Sequence, residues 1–159
     1  MFNIKLIAVG KLKEKYLTDA VAEYAKRLKA YCKFEIIELK EAFLPENPSE
    51  KEIEAALFAE SKEILKASEQ SAAVALCIEG KQLSSEELAA EIEKFGNCGN
   101  GSISFIIGSS HGLHNEVKQR SALCLSMSKM TFPHQLARVM VSEQLYRAFS
   151  IMNNGKYHK

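Results

Sequence analysis

Two loops in the last third of the chain carry residue types that could do chemistry. Residues 108–114 are rich in Gly, Ser and His, and residues 126–134 contain two Met and end in Pro-His. Each loop follows a short apolar run, 103–107 or 123–125, that predicts a buried strand. In an open parallel sheet, ligands bind beyond the carboxyl ends of the strands. We therefore predict one ligand site formed by both loops.

The first loop also fits a hydrolase pattern. Residues 108–112 match Gly-x-Ser-x-Gly, the nucleophile elbow of serine hydrolases. In that interpretation Ser110 attacks, Glu143 orients, and His134 or His158 is the base. The pattern is short enough to arise by chance, the chain is short for a hydrolase of this type, and the oxyanion-hole loop is not visible. We therefore regard this interpretation as weak.

Phosphate-binding motifs are absent from the chain. The sequence contains no Gly-x-x-x-x-Gly-Lys-Ser/Thr, and no Gly-x-Gly-x-x-Gly follows the first predicted strand. A pocket built from backbone remains, because Gly108 and Gly112 let the chain turn sharply and a ligand approach the main chain. Residues 126–131 offer amides and carbonyls to a purine edge, with Met127 and Met130 against its faces. The alternative is an ordinary strand-to-helix connection with core methionines.

Five strand-like runs alternate with five helical patterns. The predicted strands are 4–9, 34–39, 72–78, 103–107 and 123–125; the predicted helices are 13–31, 50–66, 85–95, 115–120 and 135–151; and residues 79–82 are predicted to form a turn. Capping boxes at Ser49-x-x-Glu52 and Ser84-x-x-Glu87 begin the second and third helices, and Thr131 could cap the last one. This alternation predicts an α/β fold, with a mostly parallel sheet, helices on both faces and a single domain over 1–159. The last helix is apolar over a wide arc, as either a core helix or a dimer face would be.

Composition predicts a soluble cytoplasmic protein. Hydrophobic residues make up 47% of the 159 residues, which is ordinary for a globular domain. No apolar run approaches the roughly 20 residues that span a bilayer, and the first residues do not resemble a signal peptide. The four Cys show no Cys-x-x-Cys spacing, so we predict reduced packing residues and no metal site.

Charge is distributed unevenly along the chain. The net charge is +1, yet residues 41–93 hold four Lys against 13 Glu, and residues 117–159 hold seven Lys and Arg against Glu143 alone. The basic segment adjoins the predicted ligand loops, which favours a polyanionic partner such as RNA. The alternative is that the surfaces of helices simply vary in charge.

Several ordered motifs along the whole chain resemble one family. They are Ala8-Val9-Gly10-Lys11, Phe105-Ile106-Ile107-Gly108, the run 125–134 (LSMSKMTFPH), Arg138-Val139, the run 143–148 (EQLYRA) and the terminal Tyr157-His158. Together they resemble the RlmH family, the SPOUT-class methyltransferases that act on the large ribosomal subunit. The motifs keep their order and end at the same tail, which makes the resemblance specific.

This resemblance implies a fold, a cofactor and a substrate. The fold is an α/β sheet whose C-terminal segment forms a trefoil knot, in a homodimer; knots are rare enough that only the resemblance supports one here. The methyl donor is S-adenosylmethionine, with no metal. The substrate is N3 of a pseudouridine in the helix 69 stem-loop of 23S rRNA, methylated on assembled ribosomes.

The resemblance also assigns residues to the donor pocket. They are Leu76, Gly108, Met127, Ser128, Lys129, Met130, Thr131 and Phe132. The chain departs from the family at Ser109, where a second glycine is common, and at His111, where Asn, Asp or Glu is common. Ser109 adds a β-carbon at a tight place, so the shape of this loop is expected to differ.

A methyl acceptor with a ring N–H needs a base. Methyl transfer itself requires mainly the alignment of nucleophile, methyl group and sulfur. The N3 proton of the base must also leave, and His is well tuned for that near neutral pH. We predict a catalytic group in which His158 is the base and Tyr157 stacks on the target base, with Arg138, Arg147 and Lys159 on phosphates.

Four alternatives remain open from the sequence. His158 could be a disordered terminal residue, and His134 could cap the last helix or contact the donor. The chain could be a non-catalytic RNA- or ribosome-binding protein that uses the same basic surface. It could also methylate a metabolite instead of RNA.

Overall fold

Five strands alternate with five helices in the computed structural model, which describes residues Met1–Lys159. The elements are β1 Phe2–Val9, α1 Lys15–Leu28, β2 Cys32–Leu39, α2 Glu50–Ala67, β3 Ala72–Gln82, α3 Ser85–Asn97, β4 Ser102–Ile107, α4 Asn115–Arg120, β5 Leu123–Ser126 and α5 His134–Met152. The predicted alternation is confirmed.

The strands form one parallel sheet in the order β2-β1-β4-β3-β5. Every pairing is parallel: β1 with β2 and β4, and β3 with β4 and β5. All five carboxyl ends therefore meet at one edge. The ends of β4, β3 and β5 are neighbours there, which brings together the two loops that the sequence predicts to share a site.

Helices cover both faces of the sheet, and β1 shows how. Its residues Ile4 and Leu6 belong to a core cluster that also contains α1, α3 and α5 side chains, whereas Ile7 belongs to a second cluster. That second cluster contains Ile64 of α2 and Val117 of α4. Strands covered on both sides are apolar on both faces, so the continuous apolar runs in the sequence are explained and the predicted α/β fold is confirmed.

Helix α5 is a core helix. Leu145 and Phe149 are 0% and 1% exposed, and the Phe149 ring stacks on Tyr31 with 6.0 Å between centroids and 8° between planes. On its other side α5 packs against α3, and Ser85 Oγ donates a hydrogen bond to Gln144 Oε1 at 2.7 Å. The apolar stripe of α5 that contains Leu145 and Phe149 is therefore buried between α1 and α3, whereas Leu136 stays exposed.

Strand β3 differs from its prediction. It does not turn after Ile78 but continues to Gln82, with a register jump: Leu76 and Lys81 both pair with Leu125 of β5. The intervening residues, 77–80, bulge out of the ladder. A side chain on Gly80 would place its Cβ 2.7 Å from the Cys124 carbonyl oxygen. The bulge depends on contact with β5, which local sequence does not encode.

Helix starts are predicted well only where a side chain caps them. Both capping boxes, Ser49 with Glu52 and Ser84 with Glu87, are present. The start of α5 is not capped by Thr131, because Pro133 occupies the cap position and no side chain bonds there. Helix α1 begins at Lys15 instead of Lys13, also without a side-chain cap.

Two expectations concern features beyond this architecture. None of the five helices has the length and apolarity needed to cross a membrane. The trefoil knot stays a prediction, because strand order does not define how the chain passes between its own segments.

Candidate functional site

A cavity of about 680 Å³ opens at the carboxyl edge of the sheet. Its walls come from the β3 bulge, the loop after β4, the loop after β5 and the first turn of α5. The lining residues are 76–79, 107–113, 118, 125, 127, 128, 130–134 and 137. The two loops that the sequence singles out therefore face one space.

Seven of the eight residues that the resemblance assigns to the donor line this cavity. They are Leu76, Gly108, Met127, Ser128, Met130, Thr131 and Phe132. Lys129 does not line the cavity and is exposed to solvent. In this chain Lys129 therefore lies on the outer surface of the loop.

The turn after β4 leaves no room for a side chain at Gly108. A Cβ there would lie 2.3 Å from the carbonyl oxygen of Gly112. The turn folds back on itself, because the Gly112 N–H donates to the Ser109 carbonyl at 2.9 Å, and Gly112 itself has a φ of +87°. The result is bare main chain at the cavity wall, as the sequence predicts.

The loop after β5 is held by its own serines. Ser126 Oγ donates to the Ser128 carbonyl at 3.0 Å, and the Met130 N–H donates to Ser128 Oγ at 3.0 Å. Met130 remains 73% exposed although it lines the cavity. An exposed apolar side chain beside a cavity is a ready contact for the face of a flat ligand.

Three titratable side chains that line the cavity were not singled out as site residues from the sequence. Lys118 of α4 donates a hydrogen bond to Glu79, and this bond lowers the pKa of the Glu79 carboxyl. Burial raises the pKa of the Cys77 thiol to about 11. Glu79 and Cys77 reach the cavity because of the β3 bulge, so no spacing rule in the sequence could have found them.

Arg138 does not line the cavity and has a structural role in this chain. It is 1% exposed; its Nη1 lies 2.6 Å from Glu38 Oε2, and its Nη2 donates to the Gly10 carbonyl at 2.8 Å. Its Nε is buried without a hydrogen-bond partner. A phosphate contact of the kind predicted from sequence would require breaking the pair with Glu38.

The C-terminal tail is ordered against α5 and α3. The Tyr157 ring meets Tyr146 edge-on, with 4.8 Å between centroids, and the Arg147 guanidinium lies 4.8 Å from the Tyr157 ring centre. Burial raises the pKa of Tyr157 to about 12. The tail therefore packs on the body of the molecule, in contrast to the alternative of a disordered end.

His158 bridges two charged partners. Its Nδ1 lies 3.0 Å from Arg147 Nη1, and its Nε2 lies 2.7 Å from Glu86 Oε1. Arg147 can only donate, so His158 Nδ1 accepts its hydrogen bond. His158 Nε2 carries the ring proton and donates a hydrogen bond to the Glu86 carboxylate. In this arrangement both ring nitrogens are already engaged.

The tail and the cavity are separate within one chain. None of the residues after α5 lines the cavity, so the predicted base and the predicted donor pocket are not brought together. A second cavity of about 440 Å³ lies on the α1, α3 and α5 side and includes Tyr24, Ser85 and Glu143 in its wall. Leu125 and Met127 line both cavities, so the end of β5 separates them.

The hydrolase interpretation is wrong. No hydrogen bond joins the exposed Ser110 to His134 or His158. Glu143 binds Arg147, at 2.6 Å, instead of orienting a histidine. A nucleophile elbow needs a base within hydrogen-bond reach and a group that orients the base.

Residue types that hold metals are dispersed. No three His, Cys, Asp or Glu side chains come together in a group that could bind a metal ion. All four cysteines are free thiols. The polar groups of the site are main chain, serines, Thr131, His111, His134 and the Lys118–Glu79 pair.

Comparisons with known proteins agree with this architecture. A family model described as predicted SPOUT methyltransferase matches residues 2–158. A probable methylase family protein from Haemophilus influenzae Rd KW20 superposes with a TM-score of 0.57 at 18% identity, over 99% of this chain and 71% of that one. A probable methyltransferase from Bordetella pertussis Tohama I gives 0.56 at 14% identity, over 93% and 95%. The tRNA (m1G37) methyltransferase from Aquifex aeolicus gives 0.55 at 12% identity, over 91% and 69%. At identities this low, the superpositions show a shared fold and no more than that.

Proposed function

The chain belongs to the SPOUT methyltransferase family, and we propose that it methylates N3 of a pseudouridine in the helix 69 stem-loop of 23S rRNA with S-adenosylmethionine as the donor. One observation carries the proposal. Seven of the eight donor residues implied by the RlmH resemblance, from loops about 20 residues apart or more, line one cavity. The specific family and the rRNA target rest on the motif resemblance.

The cavity fits the proposed donor in size and chemistry. Its volume of about 680 Å³ lies within the usual range for nucleoside-sized ligands. Gly108 and the turn after β5 present main-chain groups to a purine edge, and Leu76, Leu125 and Phe132 supply apolar wall. When bound, S-adenosylmethionine supplies a methyl group already activated by its sulfonium, so the protein need not provide a nucleophile. Its task there is to align the two reactants.

The acceptor proton requires a group that the donor cavity lacks. We propose His158 as the base and Tyr157 as the platform on which the target base stacks. His158 Nδ1 accepts from Arg147 in this chain, so the tail must leave Arg147 before that nitrogen can take a proton. The separation between tail and cavity supports a homodimer in which one copy supplies its tail to the cavity of the other.

Basic residues supply the contact with RNA. Lys156 and Lys159 are exposed on the tail, and Lys129 is exposed on the loop beside the cavity. Exposed cations bind phosphates without reading sequence, so they would position the ribosome and leave base selection to the pocket. Because the proposed target is the ribosome, we also propose a cytoplasmic location.

Labelled methyl transfer to ribosomes tests the proposal. Ribosomes are prepared from a strain that lacks helix 69 methylation, incubated with the protein and labelled S-adenosylmethionine, and the modified nucleotide is mapped by mass spectrometry. We expect one methyl group at N3 of a helix 69 pseudouridine, and none when that uridine has not been isomerised. Ribosome binding without any binding of S-adenosylmethionine would instead identify a non-catalytic RNA-binding protein. Methylation of small molecules alone would identify a metabolite enzyme.

A further inference from the structure

A buried carboxylate ties the cavity turn to the body of the protein. Glu60 of α2 is 6% exposed and Ser109, directly after Gly108, is 8% exposed. Ser109 Oγ donates a hydrogen bond to Glu60 Oε1 at 3.2 Å. The other carboxylate oxygen accepts from the Ala42 N–H at 3.0 Å. Glu60 thus joins α2, the loop after β2 and the cavity turn.

The burial of Glu60 is unusual for this chain. It is the only acidic residue in the buried class, and no Lys, Arg or His forms an ion pair with it. A buried, unpaired carboxyl group is costly unless hydrogen bonds compensate. Both hydrogen bonds that Glu60 makes reach residues distant in sequence. The group is therefore placed to fix the relation between segments.

Ser109 is also one of the two positions at which the chain departs from the RlmH family that it resembles. Glycine, common there in the RlmH family, has no side chain to donate to Glu60. The backbone of Ser109 does not have a positive φ, so serine is tolerated without strain. Its carbonyl accepts the Gly112 N–H that closes the turn. The residue that anchors to Glu60 is therefore the one on which the turn folds back.

We propose that Glu60 is a positioning residue for donor binding: by holding Ser109 it keeps the Gly108 turn folded back and its main chain open to the donor. Glu60 does not line the cavity, whereas Ser109 does, so Glu60 acts through Ser109. The inference rests on the proposed function for the identity of the donor. The tie between α2 and the turn can be tested without it.

A double-mutant cycle on donor affinity is the first test. Calorimetric titration with S-adenosylmethionine is performed on Glu60→Ala, Ser109→Ala and the double variant. We expect Ser109→Ala to bind about tenfold more weakly, as loss of one hydrogen bond to a carboxyl group allows. Glu60→Ala should bind at least as weakly, because it also loses the bond from the Ala42 N–H. The double variant should be no weaker than Glu60→Ala, because both changes remove the same tie. Fully additive losses would overturn the proposal.

Two further variants separate positioning from general stability. In Glu60→Gln the amide oxygen can accept from Ala42 and the amide nitrogen can donate to Ser109 Oγ, so affinity should stay within about threefold of the wild type. Ser61→Ala is the matched control, because Ser61 is 0% exposed on the same helix and its Oγ bonds only to the Phe58 carbonyl. An equal loss of affinity in Ser61→Ala would refute a specific role for Glu60.

Amide hydrogen exchange without ligand gives a readout independent of the donor. The Ala42 amide binds Glu60, and the Gly112 amide closes the turn on Ser109. Glu60→Ala should accelerate exchange at both amides; Ser109→Ala should accelerate it at Gly112 only; Glu60→Gln and Ser61→Ala should change neither. Unchanged exchange at Gly112 in Glu60→Ala would overturn the proposal. If the variants show these exchange patterns but the wild-type protein does not bind S-adenosylmethionine, the proposed function is refuted and the tie between Glu60 and the turn stands.

Discussion

Arg138 and Glu38 form an ion pair with 2.6 Å between Nη1 and Oε2, across 100 residues of sequence. The Arg138 side chain is 1% exposed, whereas the Glu38 side chain is 40% exposed. The same Glu38 oxygen accepts from the Leu12 N–H at 3.0 Å. One carboxylate thus joins the second turn of α5 to the loop after β1.

Replacing Arg138 should lower the free energy of unfolding, because the residue is buried in an ion pair. Arg138→Met keeps most of the volume but leaves Glu38 and the Gly10 carbonyl without their partner. Because Glu38 is partly hydrated, we expect a loss of about 2–4 kcal/mol in the free energy of unfolding, measured by urea denaturation.

Arg120→Met is the matched control for that variant. Arg120 makes an exposed pair with Glu116, and its side chain is 66% exposed. Its loss should cost less than about 1 kcal/mol. An Arg138→Met protein as stable as the control but unable to methylate ribosomes would restore the catalytic role that the sequence predicts for Arg138.

The turn after β4 should not tolerate a side chain at Gly108. In Gly108→Ala the new Cβ would meet the Gly112 carbonyl, which is backbone and cannot move aside cheaply. We expect S-adenosylmethionine to bind roughly ten- to a hundredfold more weakly, about 1.4–2.7 kcal/mol, by calorimetry. Asn115→Ala, an exposed change just after the same turn at a residue that does not line the cavity, should bind like the wild type. Tight binding by Gly108→Ala would mean that the donor does not use this turn.

The tail should affect chemistry without affecting donor binding. His158 does not line the donor cavity, so His158→Ala should keep the dissociation constant for S-adenosylmethionine within about twofold. If His158 is the base, the methyl-transfer rate should fall by about 10²–10⁴-fold. Asn154→Gly, an exposed change in the same tail at a position whose φ of +56° glycine adopts readily, is the control. Retention of the full rate across pH by His158→Ala would exclude it as the base.

The half-buried thiol of Cys77 at the cavity should report on ligand binding. Because burial raises the pKa of Cys77 to about 11, only about one thiol in a thousand is ionised at pH 8, and iodoacetamide should label it slowly. The rate should rise about tenfold per pH unit up to about pH 11. S-adenosylmethionine should protect Cys77, but not the exposed Cys98, in mass-spectrometric mapping. Equal labelling of Cys77 with and without the donor would contradict the assigned pocket.

The buried carboxyl group of Glu60 should make stability depend on pH. Burial raises its pKa above the ordinary 4.5; Glu41 also raises it, whereas the hydrogen bonds from Ala42 and Ser109, and the nearby His111, lower it. A raised folded-state pKa means that the folded protein holds the proton more tightly than the unfolded chain. The stabilisation is complete below about pH 4.5 and is lost as the pH rises through the folded-state value.

Glu60→Gln has no proton to lose at this position. Its stability relative to the wild type should therefore increase from about pH 4.5 through the raised pKa and then become constant. Urea denaturation across pH measures this difference, and Ser61→Ala is the control because it introduces no titrating group. A difference that does not change with pH would show that the Glu60 pKa is not raised.

Part of the site could be predicted because its signals are short in sequence. Gly108 follows an apolar strand, and Ser49 and Ser84 stand three residues before glutamates, so each feature is visible within one local window. Cys77 and Glu79 could not be found in that way. The apolar pattern ends the strand at Ile78, and only contact with β5 lets the chain bulge and continue.

The sequence by itself determined the alternation of strands and helices, the parallel sheet and the meeting of two loops at its carboxyl edge. Those features follow from apolar periodicity and chain direction, which are local properties. The tertiary structure alone decided that Glu60 holds Ser109, that Arg138 is buried against Glu38, and that His158 lies apart from the donor cavity. Each of these depends on which distant segments become neighbours when the sheet is covered, and no spacing between residues along the chain encodes that.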